Sequence, residues 1–274
     1  MKSMDVTIIG GGLAGSEIAL QLASRGIPVE LVEMRPEQGT PAHQTGALAE
    51  LVCSNSLKSE RPETASGLFK RELALLGCRL LEIACGARVP AGHALAVDRE
   101  LFSRAVTEAV ESEPLIRLER REQIDLDLPG CSVVATGPLT SESLSKSLRE
   151  HFGAENLHFY DAISISIDAD SVDHSRLYRA SRYGKGGADY WNVPFSKDEY
   201  ERLVEYLRAA PCAEKRGFEK SRCFEACLPV EVIASSGAES LRFGPLKPKG
   251  LADPETGREP HAVLQLRQET RDGG

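Results

Sequence analysis

Val6-Thr7-Ile8-Ile9-Gly10-Gly11-Gly12-Leu13-Ala14-Gly15 sets a mainly apolar run directly before a G-x-G-x-x-G run, and a second apolar run ending in Glu33 follows. The order is strand, tight turn, helix, strand, acid: residues 5–10, 13–25 and 28–34, with Gly26 at the helix C-terminus where a left-handed cap belongs. Each glycine has a separate task. Gly10 permits the turn, Gly12 lets the backbone approach a pyrophosphate, and Gly15 lets helix and strand pack closely. The helix that opens at Leu13 and Ala14 directs free N–H groups and partial positive charge at the phosphates. Glu33, 18 residues past Gly15, is spaced to bond a ribose hydroxyl. An acid there repels a 2′-phosphate, so the adenosine half of FAD or NAD fits better than NADP.

Working outward, residues 35–63 are rich in Gly, Pro, Ser, Thr and Asn, and loops this long inside compact domains are usually functional. A helical pattern covers residues 67–84. Asp98 is placed to cap a helix over 99–111, and a further helix is expected over 141–151. Cys131-Ser132-Val133-Val134-Ala135-Thr136-Gly137 reads as a buried strand. Its carboxyl end puts Thr136 and Gly137 in the crevice where open α/β sheets collect ligands. From about residue 156 the character changes. Ile163-Ser164-Ile165-Ser166-Ile167 alternates as a half-exposed strand, residues 183–194 are rich in Gly and aromatics, and residues 197–209 form an amphipathic helix.

The 274 residues are 41% hydrophobic and 27% charged, a composition that supports a real core. Neither a membrane-spanning run nor a signal-peptide core is present, and a cytoplasmic location is expected. Seven cysteines without a C-x-x-C pair argue against both a disulfide framework and a zinc ribbon; no metal site is expected. Cys78, Cys85 and Cys131 read as small core residues. A net charge of −8 excludes a wholly basic surface, but Arg176, Arg179, Arg182, Lys185, Lys215, Arg216, Lys220 and Arg222 form a locally basic stretch.

Several blocks point to one family: Val32-Glu33-Met34-Arg35-Pro36, Glu50-Leu51-Val52-Cys53-Ser54-Asn55-Ser56, Ala135-Thr136-Gly137-Pro138-Leu139-Thr140-Ser141, and Phe224-Glu225-Ala226-Cys227-Leu228-Pro229-Val230-Glu231. Together they resemble the TrmFO family of folate- and FAD-dependent tRNA (uracil-5-)-methyltransferases. The larger GidA/MnmG group, which modifies the wobble uridine, ranks second because its loop departs from Cys53-Ser54-Asn55-Ser56. The resemblance implies a glutathione-reductase-like, Rossmann-type FAD domain with a smaller inserted α+β domain. The expected boundaries are 1–155 for the cofactor domain, 156–235 for a substrate domain facing tRNA, and 236–274 for the start of the return to the cofactor domain.

The resemblance further implies methylation of uridine 54 in the tRNA T-loop, with 5,10-methylenetetrahydrofolate as one-carbon donor and NAD(P)H reducing FAD. Methylation of a ribosomal RNA uridine by the same chemistry, or a non-catalytic flavin- and tRNA-binding piece, are its alternatives. Cys227 is expected as the nucleophile at C6 of uracil, aided by nearby Lys220 and Arg222, and Cys53 as proton acceptor or flavin-proximal thiol. The basic stretch then becomes a phosphate-contacting surface for the tRNA backbone. Family members continue beyond the Leu266-Arg267-Gln268-Glu269 block, so the chain is expected to be C-terminally truncated relative to them.

Overall fold

A computed structural model describes residues 6–40, 42–153, 166–211 and 228–272. The chain divides into two compact units, residues 1–88 with 95–164, and residues 89–94 with 165–274.

The first unit begins as the glycine fingerprint demands: strand β1 (Val6–Ile9), helix α1 (Leu13–Ser24), strand β2 (Val29–Glu33). After the long loop come β3 (Ser56–Ser59), helices α2 (Ala65–Leu75) and α3 (Arg79–Gly86), and the short strands β4 (Arg88–Val89) and β5 (Ala94–Val97). Helix α4 (Arg99–Glu111) follows, capped by Asp98, whose carboxylate accepts the Leu101 N–H at 2.9 Å. Then come β6 (Ile116–Arg120), β7 (Cys131–Val134) and α5 (Glu142–Phe152), the last capped by Ser141. Strands β6, β2, β1 and β7 form one parallel sheet in that order. The strand order reverses between β1 and β7, as in doubly wound α/β folds. Packing follows from the pattern of apolar residues. Ile8, Val29 and Leu31 bury against Ala19, Leu20 and Ala23 of α1 and Phe102 and Val106 of α4, while Ile9 meets Leu144 and Leu148 of α5.

The second unit is built on an antiparallel sheet, β8 (Tyr178–Arg179), β9 (Tyr190–Phe195) and β10 (Ala262–Arg267), in the order β10-β9-β8. Helices α6 (Lys197–Ala209), α7 (Val230–Ser236) and α8 (Ser240–Phe243) complete it. Its core gathers Tyr200, Val204, Ala234, Leu241, Leu246 and Ala262. The Tyr200 hydroxyl donates to Ala238 O at 2.8 Å and accepts the Arg242 N–H at 3.1 Å, so the aromatic anchor carries no orphaned polar group.

Several expectations change. Residues 236–272, expected to lead back to the cofactor domain, group with the second unit, because β10 pairs with β9 from Ala262↔Phe195 to Arg267↔Tyr190. The single helix over 67–84 is two helices, broken at Gly77 with φ +73. The strand at 131–134 is not buried, and Cys131 is exposed. Its position is the reason: β7 is the edge of the described parallel sheet, and an apolar run does not distinguish an edge from a centre. Cys85 is also exposed, since α3 buries Leu80 and Ala84, while Cys78 is half-buried. The alternation at 163–167 falls largely outside the described residues, as do Cys227 and the basic residues from Lys215 to Arg222.

Candidate dinucleotide site

The carboxyl ends of the parallel strands open onto a cleft whose empty space, open solvent at its mouth included, is about 520 Å³. Ile9, Gly10 and Gly12 line it from the end of β1, Val32, Glu33 and Arg35 from β2, and Thr136 and Ser141 from the segment after β7. The cleft therefore lies at the point where the strand order reverses, the place open α/β sheets reserve for ligands.

The glycines divide into those the protein needs and one it does not. Gly10 has φ +102, and a Cβ there would come within 2.8 Å of the Thr136 Cα. A Cβ on Gly15 would collide with the Gly10 carbonyl oxygen, and one on Gly11 with Leu48 Cδ2. Gly12 differs: its φ is −75°, and a Cβ would meet no protein atom within 4 Å. Nothing in the fold requires a glycine here, and a close-approaching ligand does. Gly12 is also the N-cap of α1, where no side chain satisfies the first-turn N–H groups, the arrangement that receives a pyrophosphate. The residues present fit a dinucleotide.

Glu33 is buried as an ion. Its Oε2 accepts the Gly11 N–H at 2.7 Å, and its Oε1 accepts the Arg35 backbone N–H at 3.0 Å and Nε–H at 2.8 Å. Burial pushes its pKa up, but the hydrogen bonds and charge of Arg35 and the Gly11 N–H outweigh this and hold the carboxyl below its ordinary range. A carboxylate offers about four acceptor positions. Three are filled by protein, leaving one on Oε2.

Arg35, only 3% exposed, joins this carboxylate to the long loop. Its Nη1 meets Glu50 Oε2 at 3.0 Å, and Glu50 in turn accepts from Gln44 N, Thr45 N and Thr45 Oγ1. The Ala49 N–H bonds Gly11 O at 2.9 Å with Ala49 held at φ +52, so the loop is tied to the fingerprint itself. Beyond it Leu51 O accepts Arg99 Nη1 at 3.0 Å, and buried Asn55 donates to Val97 O at 3.0 Å. Between these two anchors Cys53 is exposed.

The sequence profile of the glucose inhibited division protein A family (GIDA) matches residues 5–274. The chain belongs to the GidA family. It is similar to proteins named methylenetetrahydrofolate–tRNA-(uracil-5-)-methyltransferase TrmFO. The relative from Geobacter sulfurreducens is 56% identical over 269 residues, covering 98% of this chain and 62% of that protein. Those from Rubrobacter xylanophilus (55% over 269 residues; 98% and 60%) and Moorella thermoacetica (52% over 268 residues; 98% and 61%) are comparable. The chain thus spans about three-fifths of the length of these relatives. Among solved structures, a probable FAD-dependent monooxygenase from Pseudomonas aeruginosa matches 45% of this chain and 35% of its own at 21% identity with a TM-score of 0.27, too low to bear on the fold.

Within this GidA-family chain, Gly10, Gly12, Glu33 and Thr136 of the expected site residues line the cleft. Gly11 and Gly15 shape the turn behind it. Leu13 and Ala14 form the exposed first turn of α1, and Gly137, at φ +64, follows Thr136. Cys53 is not among the residues lining the cleft. The cleft also recruits His43, Arg121, Glu122 and Gln123, which the sequence reading did not single out. The last three follow β6, and only its pairing with β2 brings them beside Glu33. No described helix is long and apolar enough to cross a membrane.

Proposed function

We propose that this chain supplies the FAD-binding and tRNA-facing parts of a folate-dependent tRNA (uracil-5-)-methyltransferase. The observation that carries the reading is the cleft at the strand-order reversal, with a glycine the fold does not need at Gly12 and one unfilled acceptor position on Glu33. The names of relatives more than half identical to the chain supply the reaction: 5,10-methylenetetrahydrofolate as one-carbon donor and C5 of a tRNA uracil as acceptor. Uridine 54 of the T-loop and NAD(P)H as reductant follow from the family resemblance. The first unit corresponds to the cofactor domain and the second to the inserted domain that meets RNA.

Residues Gly10 to Gly15 turn the pyrophosphate of FAD onto the α1 N-terminus, Glu33 Oε2 accepts a ribose hydroxyl, and Thr136 and Gly137 border the crevice. Bound FAD would supply the hydride that completes the methyl group and hold the one-carbon unit. The thiolate of Cys227 adds to C6 of uracil, and the electron pair of the C5–C6 double bond moves toward C5, which then attacks the one-carbon electrophile. Cys53, presented by a loop fixed on both sides, takes the proton from C5. The pair left at C5 expels the carrier of the one-carbon unit and leaves an exocyclic methylene; hydride added to that methylene would complete the methyl group, and the C5–C6 double bond re-forms as the Cys227 sulfur leaves. The target base must first leave its stack, and the basic surface of the second unit holds the phosphates that flank it.

The test uses this protein at the full length of its relatives, with unmodified tRNA, a ribosomal RNA transcript, methylenetetrahydrofolate and NADPH. 5-Methyluridine at position 54 of the tRNA is expected, and Cys227→Ala and Cys53→Ala should each abolish it while FAD stays bound. Product only in ribosomal RNA would change the substrate. Tight binding of FAD and tRNA with no product in either RNA would overturn the enzymatic reading.

A further inference from the structure

Among the described residues that line the cleft, one acceptor atom has no hydrogen-bond partner. That buried atom is Oε1 of the Glu122 carboxylate. A desolvated oxygen with no donor is costly, and such groups are rare in folded proteins. Its neighbours are committed elsewhere. Arg121 donates to Gln123 Oε1 and lies 3.8 Å from Glu30, while Gln123 donates to Asp125 O at 2.5 Å. Arg35, the other guanidinium lining the cleft, is held by Glu33 and Glu50. Glu122 is therefore an acceptor kept for a donor that none of the described residues provides.

Its place in the sheet says which donor. Gly12 stands at the end of β1, Glu33 at the end of β2, and Glu122 two residues past the end of β6, on the far side of β2 from β1. The Arg121 N–H still bonds Glu33 O at 3.0 Å, so the backbone enters Glu122 in register beside Glu33. Neighbouring strands lie about 4.8 Å apart. From the phosphate position at β1, through the ribose position at β2, to Glu122 is thus about 10 Å, the run from diphosphate to base in an extended nucleotide. We propose that Glu122 reads the base of the bound dinucleotide, its carboxylate oxygen accepting a hydrogen bond from the exocyclic amine of adenine. This rests on the dinucleotide reading of the cleft. Adenine offers an amine at its 6-position where guanine and hypoxanthine offer a carbonyl oxygen, and an ionised carboxylate only accepts. The same oxygen that holds adenine turns the other two purines away.

Isothermal titration of the full chain with ADP and with inosine 5′-diphosphate, which differs at the 6-position, tests the contact without requiring turnover. The wild-type chain should bind ADP on the order of tenfold more tightly than inosine diphosphate, the scale of one hydrogen bond to a charged group. Glu122→Ala should erase the difference. Glu122→Gln should keep ADP binding and gain inosine diphosphate binding, because an amide can present either its oxygen or its N–H₂. That gain cannot come from a misfolded variant. Equal affinity of the wild type for both nucleotides, or a preference that survives in Glu122→Ala, overturns the proposal and leaves the dinucleotide site standing. Failure of the wild type to bind either nucleotide, with FAD also unbound, overturns the dinucleotide reading and this contact with it.

Discussion

Both units bury a polar hub, and the two hubs are finished differently. In the second unit Asn192 is fully buried in β9 and its Nδ2 reaches Tyr178 O, Ala180 O and Tyr190 O at 3.2, 3.1 and 3.1 Å. Its Oδ1 accepts from Gln265 at 2.9 Å, and Gln265 Oε1 accepts from Arg182 at 2.8 Å. Both the amide nitrogen and the amide oxygen of Asn192 have protein partners, and the network ties β9 to β8 and β10. In the first unit the hub is ionic. Glu33, Arg35 and Glu50 are joined at 2.8 and 3.0 Å, yet Glu33 keeps an acceptor position open and Glu122 keeps a whole oxygen unpaired, both lining the cleft. A saturated network specifies a fold. An unsaturated one beside a cleft marks where a ligand completes the structure.

The sharpest way to break the comparison is Arg35→Met. Removing one partner of a buried ion pair leaves the other uncompensated, at a cost of about 3–5 kcal/mol. Glu33 and Glu50 would both lose their cation, and the loop carrying Cys53 would lose its tie to the fingerprint. Urea denaturation should register the loss, and flavin binding should fall with it; a change below about 1 kcal/mol would mean the network is not held as described. The same pair sets a pH dependence. The Glu33 pKa in the folded chain lies below its unfolded value, so the folded state binds fewer protons. Its contribution is complete above the usual carboxylate range of about 4–5 and disappears as pH falls through the lowered value. In Arg35→Met that acid-side slope should flatten.

The neutral hub should respond more gently and only locally. Asn192→Ala removes the amide bonds to Tyr178 O and Ala180 O and leaves Gln265 Nε2 without its acceptor, while Tyr190 O keeps the Ala180 N–H at 3.1 Å, for an expected loss of about 1–3 kcal/mol. Hydrogen exchange should accelerate across β8, β9 and β10 while ADP binds the first unit with unchanged affinity. A matching loss of ADP affinity would show that the two hubs are not independent.

How much of this was legible in the sequence depends on distance along the chain. The turn at Gly10 to Gly15 and the acid at Glu33 were readable because each glycine answers a local backbone constraint and the acid sits at a fixed spacing. The cap at Asp98 was readable for the same reason, whereas Ser141, read as the first residue of a helix, is its cap. The Arg35–Glu50 pair was not, since a loop decides which side chains meet, although both residues stand in blocks that carry the family resemblance. Glu122 was further out of reach. It lies 89 positions after Glu33 in the sequence, and only the parallel pairing of β6 with β2 makes them neighbours. The exposed Cys131 shows the reverse error: the pattern Cys131-Ser132-Val133-Val134 marks a strand correctly but is silent on whether another strand covers it.

The smallest expected effect lies at the start of α6 and sharpens the comparison from the surface side. Ser196 and Glu199 form a reciprocal capping box: Ser196 Oγ accepts the Glu199 N–H at 3.3 Å, and Glu199 Oε2 accepts from the Ser196 N–H and hydroxyl, each at 2.9 Å. The Ser196 backbone N–H, the Ser196 hydroxyl and Arg176 together bring the Glu199 pKa down to about 2. Ser196→Ala should cost about 1 kcal/mol at neutral pH, the usual worth of an N-cap. It should also raise the Glu199 pKa by removing one of its three donors, which carboxyl NMR titration reads directly. Because the folded pKa is depressed, this carboxylate stabilises the fold above the unfolded carboxylate pKa and ceases to do so as pH falls through about 2. The stability gap between wild type and Ser196→Ala should therefore narrow on acidification without closing, since the Ser196 bond to the Glu199 N–H does not depend on the proton. A gap that stays constant down to pH 2 would show that the bond from the Ser196 hydroxyl to the Glu199 carboxylate contributes nothing. The cap would then act through the serine alone.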